Sequence, residues 1–117
     1  KDLKNHNCVL LMNGSYSFNK WEFYKNKKKF SVSVDGNFKA NDIRTVLDAT
    51  RKGVGICHMP NYLVAEDLKK GKLISLFEDF KFDKRGIYAF YTQKREFSPK
   101  IDSFLSFLEN NKDQLYA

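Results

Sequence analysis

The sequence predicts an α/β domain with a mixed, partly parallel sheet and flanking helices. Three observations carry that prediction: apolar runs too short for helices, helical apolar spacing between those runs, and glycine or proline at the junctions. The chain has 117 residues with 21 Lys+Arg against 14 Asp+Glu, a net charge of +7, and its length is that of one domain. A chain of this size buries about two-thirds of the surface that its unfolded form exposes. A composition of 42% hydrophobic and 15% aromatic residues supplies a core and excludes disorder as the main state.

Residues 7–12, Asn-Cys-Val-Leu-Leu-Met, are apolar without alternation, as in a strand buried on both faces, and predict a central strand. Asn13, Gly14 and Ser15 supply a turn. Trp21, Glu22, Phe23 and Tyr24 alternate with period two, as do residues 30–35, and the lysine-rich run 25–29 between them predicts a hairpin. Asp35, Gly36 and Asn37 break the second of these strands. Asn41 is then placed to cap a helix in which Ile43, Val46, Leu47 and Thr50 share one face, with Gly53 closing it.

Val54, Gly55, Ile56, Cys57 and His58 read as a buried strand, with Gly55 marking a close backbone approach. Met59 and Pro60 turn the chain into a second helix with Asn61 as its cap, ending at Lys69, Lys70 and Gly71, cations and then a residue suited to the left-handed conformation. Residues 73–77 and 87–91 predict two further strands on either side of a charged loop. Ser98 and Pro99 open a long helix, since serine caps well and proline is tolerated at the first helical position. Ile101, Phe104, Leu105 and Leu108 form its apolar stripe.

Several function classes fall away on composition. The longest uninterrupted apolar stretch, residues 8–12, is far too short to cross a bilayer, and the chain opens with no targeting signal, so a cytoplasmic protein without membrane contact is expected. Cys8 and Cys57 suit neither a disulfide framework nor a zinc site. Two small buried hydrophobes are the simpler reading, and a redox pair would need the backbones to approach closely. The charge is carried by lysine, with four arginines, whereas phosphate recognition favours the forked guanidinium. No nucleophile with a base, no paired carboxylates, no phosphate-cradling loop and no metal cluster is legible, so neither an enzyme nor a bound cofactor is expected.

The order and spacing of the motifs resemble the effector-binding region of LysR-type transcriptional regulators, a bacterial family, and specifically its second part. The matching positions are Asp2, Leu3, His6 and Cys8; Trp21 and Phe23; Val34, Gly36 and Phe38; Asn41 and Asp42; Gly53, Gly55 and Ile56; Met59 and Pro60; and Leu68, Gly71 and Leu73. The tail agrees through Ile87, Tyr88, Ala89 and Tyr91, then Arg95, Ser98, Pro99, Lys100, Phe104, Phe107 and Leu108. Thr92 departs from the pattern, since many members have proline there.

The resemblance implies a truncated, type II periplasmic-binding-protein-like fold. Residues 1–80 would form the second subdomain, and residues 81–117 would be the strand and helix that return to the first. The helix-turn-helix through which such regulators bind DNA is absent, and the chain, which begins without methionine, reads as a piece of a longer protein. The apolar stripe of the helix at residues 98–115 would then lack the sheet that it should cover, which favours a homo-oligomer through that face.

Ligand sites in open α/β sheets lie where carboxyl ends of strands meet helix N-termini. Two junctions are readable. The first spans residues 36–41 and offers Asn37, Ala40 and Asn41, with a plain turn and helix cap as the simpler reading. The second offers His58 and Asn61, where a satisfied structural histidine is the simpler reading. His6, before the first strand, would face the cleft or serve as a hinge. These six are the expected effector-binding residues. Trp21 and Phe23 read as core, and residues 25–29 as a solvated tip or, less simply, a nucleic-acid contact.

The expected function is therefore sensing of a small polar or anionic effector that modulates a DNA-bound oligomer. A stand-alone solute-binding or interaction module of the same fold is the alternative.

Overall fold

A computed structural model describes residues 2–80 and 88–115. The chain divides into two compact units, Lys1–Asp83 and Lys84–Ala117.

The first unit is built around β1 (Val9–Asn13), the central strand expected from its unbroken apolar run. On one edge it pairs in parallel with β5 (Phe38–Ala40), Val9 lying opposite Phe38 and Leu11 opposite Ala40. On the other edge it pairs antiparallel with the short β2 (Tyr16–Ser17) and, at its start, in parallel through a bridge between Cys8 and Ile56. Two backbone hydrogen bonds hold that bridge, Val9 N to Ile56 O at 2.8 Å and Ile56 N to Asn7 O at 3.0 Å.

The absence of alternation in β1 has its cause here. Cys8 and Leu10 join Leu3, Trp21, Phe23 and Val34 in one buried cluster, while Val9 packs with Val46 and Ala49 in another. Successive side chains of a strand face opposite ways, so both faces of β1 are covered and every position is apolar.

The expected hairpin is present as β3 (Lys20–Lys25) and β4 (Lys28–Ser33), with Trp21 opposite Val32 and Phe23 opposite Phe30. Trp21 and Phe23 are buried, as expected. Asn26 and Lys27 form its two-residue turn at φ 52° and 63°.

Helix α1 (Ile43–Arg51) places Val46, Leu47 and Ala49 inward. Its cap is not Asn41, as the spacing suggested, but Asp42, whose carboxylate accepts from Thr45 N and Thr45 Oγ1, both at 3.0 Å. The sequence reading missed β5, which carries the chain extended through Ala40 and moves the start of the helix on. An aspartate at that position also gains from the helix dipole. Gly53 closes the helix at φ 80°, as expected.

Helix α2 (Asn61–Lys69) instead starts one residue earlier than predicted. Pro60 precedes it, no side chain caps it, and Asn61 is its first helical residue. Gly71, at φ 71°, terminates it as anticipated.

The predicted strand at residues 73–77 does not form. Ile74 is 84% exposed, and the segment lies outside both sheets. Phe77 instead takes a positive φ of 58° and, through a turn closed by Phe80 N to Phe77 O at 2.9 Å, lays Phe77 and Phe80 edge-on against Phe23.

In the second unit the predicted strand at residues 87–91 is also absent over residues 88–91, Ile87 lying outside the described residues; Phe90 is 95% exposed. A 3₁₀ turn (Arg95–Phe97) leads into α3 (Pro99–Asn110), capped by Ser98 Oγ accepting from Ile101 N, with Pro99 in the first turn, as the sequence indicated. The predicted helix breaks at Asn111 and resumes as α4 (Lys112–Leu115). Arg95 ties the turn to α3, donating to Asp102 at 2.6 Å, Glu109 at 2.7 Å and Ser106 at 2.8 Å. No residue of α3 is buried, and Phe104 and Phe107 stand exposed.

Candidate functional site

Three backbone segments of the first unit run in the same direction: β1, β5 and the stretch through Ile56. Their amino ends are joined by one side chain. Asn7 Nδ2 donates to Asn37 Oδ1 at 2.7 Å and to Val54 O at 2.9 Å, while Asn37 N donates to Asn7 Oδ1 at 2.9 Å. Glycine is required on both neighbours: a Cβ at Gly36 would overlap the Cys8 carbonyl, and one at Gly55 would overlap the Asn7 carbonyl. Close backbone approach at Gly55 was legible in the sequence, whereas the role of Asn7 was not.

This closure separates the candidate residues. Asn37 belongs to the amino end, where both its amide and its side chain are engaged with Asn7. Asn41 follows β5 at the carboxyl end, exposed, beside the start of α1. The two residues assigned to one junction therefore lie at opposite ends of a strand. Ala40 packs its side chain toward the Val9 and Val46 cluster and offers only backbone. His6 is exposed in the loop before β1, its amide donating to Leu3 O at 3.2 Å.

His58 and Asn61 follow the Ile56 bridge on its carboxyl side. The His58 ring stacks on Trp21, 5.4 Å between centroids at 24°, and lies 6.0 Å from the Phe23 ring. The sequence reading gave Trp21 and Phe23 to the core and did not see that they also carry the histidine.

The electrostatics distinguish the two helix starts. At α1 the Asp42 carboxylate already takes the Thr45 N–H and hydroxyl, and those hydrogen bonds hold it below the usual carboxylate range. An anion arriving there would meet a negative charge. At α2 Pro60 offers only its carbonyl, which accepts from Leu63 N at 3.1 Å, so the positive end of that helix, three residues after His58, has no side-chain cap.

A second polar feature had no signal in the sequence. Asp67, buried on α2, accepts from Arg51 Nε at 3.1 Å and Nη2 at 2.6 Å, while Arg51 Nη1 donates to Asp48 at 2.8 Å. The guanidinium draws the Asp67 carboxyl below its ordinary value. A surface hollow of about 390 Å³ lies over this pair, lined by Tyr62, Leu63, Glu66, Lys70 and Lys72 as well; within it Arg51 pairs with Asp67 and Lys70 with Glu66.

Cys8 and Cys57 are free and pack in opposite clusters, one on each face of the sheet. Burial pushes both thiols up from their ordinary value, which suits inert core residues. Among the described residues no cluster of three or more His, Cys, Asp or Glu could hold a metal, and no helix is long and apolar enough to cross a membrane.

A parallel central strand covered on both faces, with helix α1 crossing between β5 and the Ile56 stretch, fits this unit as part of a type II periplasmic-binding-protein-like α/β domain. Residues 1–113 match the LysR substrate binding domain family, and the chain belongs to that family.

Several relatives give the match its scale. The chain is 27% identical over 96 residues to YagP of Escherichia coli (strain K12), described as a putative LysR family substrate binding domain-containing protein, covering 82% of this chain and 71% of that one. It is 26% identical over 91 residues to the HTH-type transcriptional regulator PtxR of Pseudomonas aeruginosa (strain PAO1), covering 78% of this chain and 29% of that one. Among solved structures, the regulatory domain of AphB in Vibrio vulnificus matches with a TM-score of 0.74 and 25% identity, over 93% of this chain and 53% of that domain. The full-length AphB virulence activator of Vibrio cholerae matches at 0.75 and 27%, over 92% of this chain and 36% of that protein. The chain thus spans about half of the solved regulatory domain and about a third of the full-length regulator, in keeping with the second-part assignment made from its motifs.

Proposed function

We propose that this chain is the effector-sensing part of a LysR-type transcription regulator, taking a small polar or anionic molecule at the carboxyl side of its parallel strands. The observation that carries this reading is the match of residues 1–113 to the substrate-binding family. In support, Asn41, His58 and the uncapped start of α2 at Asn61 all follow the carboxyl ends of parallel segments, where open α/β sheets take ligands. The backbone at Ala40 flanks that set, while His6, next to Asn7 before β1, lies at the opposite, amino end with Asn37, which contributes by fixing strand spacing.

The remaining assignments belong to the same reading. Residues up to about 80 form the second subdomain and the later ones return to the first, a division supported by the compact units that part at Asp83 and Lys84. Effector binding acts through its differential affinity for two arrangements of the subdomains. DNA is held by a domain outside this chain, in a cytoplasmic oligomer, with no chemical step catalysed.

A second reading has one observation in its favour. The match to YagP, named for its substrate binding domain alone, spans 71% of that protein, which is the scale of a module standing by itself in solute binding or interaction.

Thermal shift of the intact gene product against a panel of small carboxylates, amino acids and sugar phosphates tests the first reading. A ligand that binds only the folded state raises Tm. The expected result is at least one such compound whose shift is lost in Asn41→Ala and His58→Ala; a shift retained in both variants would move the site elsewhere.

A further inference from the structure

The tip of the β3–β4 hairpin carries three lysines that make no ion pair among the described residues. Lys25 and Lys28 face each other across the last rung of the ladder, and Lys27 sits in the turn between them. Like charges placed directly opposite disfavour strand pairing. The turn adds a second cost. Asn26 and Lys27 both have positive φ, 52° and 63°, the two-residue conformation that favours asparagine followed by glycine. The chain keeps the asparagine and puts a lysine where glycine would be unstrained. Solubility alone requires neither feature.

The next lysine is different, because Lys29 is paired with Glu22 at 3.0 Å. No such pair is made by Lys25, Lys27 or Lys28 among the described residues. The tip is also braced. Lys25 Nζ lies 4.8 Å from the centre of the Phe80 ring, and Phe80 packs edge-on against Phe23 and Phe30 at 6.2 and 5.9 Å. Three ammonium groups are therefore presented on a hairpin that needs little ordering to meet a partner.

We infer that this tip docks on the phosphate backbone of duplex DNA without reading its sequence. Lysine acts on phosphate as a point charge rather than as a base-reading fork, and a net charge of +7 draws a polyanion from a distance. The choice of DNA over other polyanions rests on the regulator reading above, in which the sensing domain is held close to DNA by a separate domain.

The test uses the 117-residue chain, a labelled duplex of arbitrary sequence, and fluorescence anisotropy between about 50 and 200 mM salt. Three phosphate contacts give about a forty-fold weakening over that range. In Lys25→Gln/Lys27→Gly/Lys28→Gln that salt-dependent binding is expected to disappear. In Lys4→Gln/Lys69→Gln/Lys94→Gln, which removes the same three charges elsewhere, it is expected to persist, with circular dichroism showing both variants folded. Equal losses in the two variants, or no binding by the parent chain at the lowest salt, would overturn the proposal. Tighter binding to polyglutamate or to vesicles of anionic lipid than to the duplex would overturn it too. No effector enters the assay, so its failure is distinguishable from a failure of effector sensing.

Discussion

Asn7 and Asn37 bind each other twice, side chain to side chain at 2.7 Å and amide to side chain at 2.9 Å, across the gap between β1 and β5. With the bond to Val54 O at 2.9 Å, one asparagine sets the spacing of three parallel segments whose far ends carry the proposed effector site.

Asn7→Ala removes all three of these bonds. At about 1 kcal/mol each, reduced by solvent access, the expected loss is about 2 kcal/mol, read as a lower urea midpoint. The proposal places the effector residues at the other end of the strands, so effector affinity should fall through strand spacing alone. Asn7→Asp keeps the acceptor for Asn37 N and loses both donor bonds, and an intermediate midpoint is expected.

Gly36 and Gly55 press directly on the backbone of residues 7 and 8, where nothing can yield. Gly36→Ala or Gly55→Ala should cost more than about 3 kcal/mol and leave little folded protein. Gly14, which has open space around the same position and a φ of 58°, supplies the control: Gly14→Ala should cost about 1 kcal/mol from backbone strain alone. Thermal unfolding of the three variants separates a clash from a conformational penalty.

The Arg51–Asp67 pair predicts a pH dependence of stability. The Asp67 carboxyl titrates lower in the folded chain than unfolded, so the unfolded state binds the proton more readily and stability rises with pH across the acid range. The contribution is complete above the unfolded carboxylate value of about 4 and is lost as the pH falls toward the lower folded value. Urea unfolding between about pH 2 and 6 should show this slope, and Asp67→Asn should flatten its share of it while lowering the plateau.

Phe104 and Phe107 stand exposed on α3, 60% and 62%. If that face mediates self-association, as the oligomer reading holds, Phe104→Glu should shift sedimentation of the chain toward the monomer at concentrations where the parent associates. Identical sedimentation of parent and variant would remove α3 from the interface.

Where local pattern and burial agree, the fold was legible. The apolar run at residues 8–12 gave a central strand because both faces of β1 are covered, and Gly53 and Gly71 marked helix ends because both take positive φ. The readings at residues 73–77 and 88–91 failed for a common reason: a strand exists only through a neighbour's backbone, and no pairing partner for either appears among the described residues. β5 was hidden by its length of three residues, and its omission put Asn37 and Asn41 into one junction. The Asn7 closure and the Arg51–Asp67 pair join residues at sequence separations of 30 and 16, beyond the reach of periodicity or capping rules. The stacking of His58 on Trp21 was likewise invisible, since each residue had a satisfactory local explanation.

Under the proposed function, a small molecule bound at the carboxyl side of these strands changes how the proposed regulator holds DNA. The most direct measurement is operator affinity of the intact gene product with and without the compound found by thermal shift, in the parent and in His58→Ala. The account predicts a change of at least about five-fold in the parent, less than about two-fold in the variant, and equal operator affinity for both without the compound. An unchanged response in the variant, or a loss of operator affinity in the compound's absence, would contradict it.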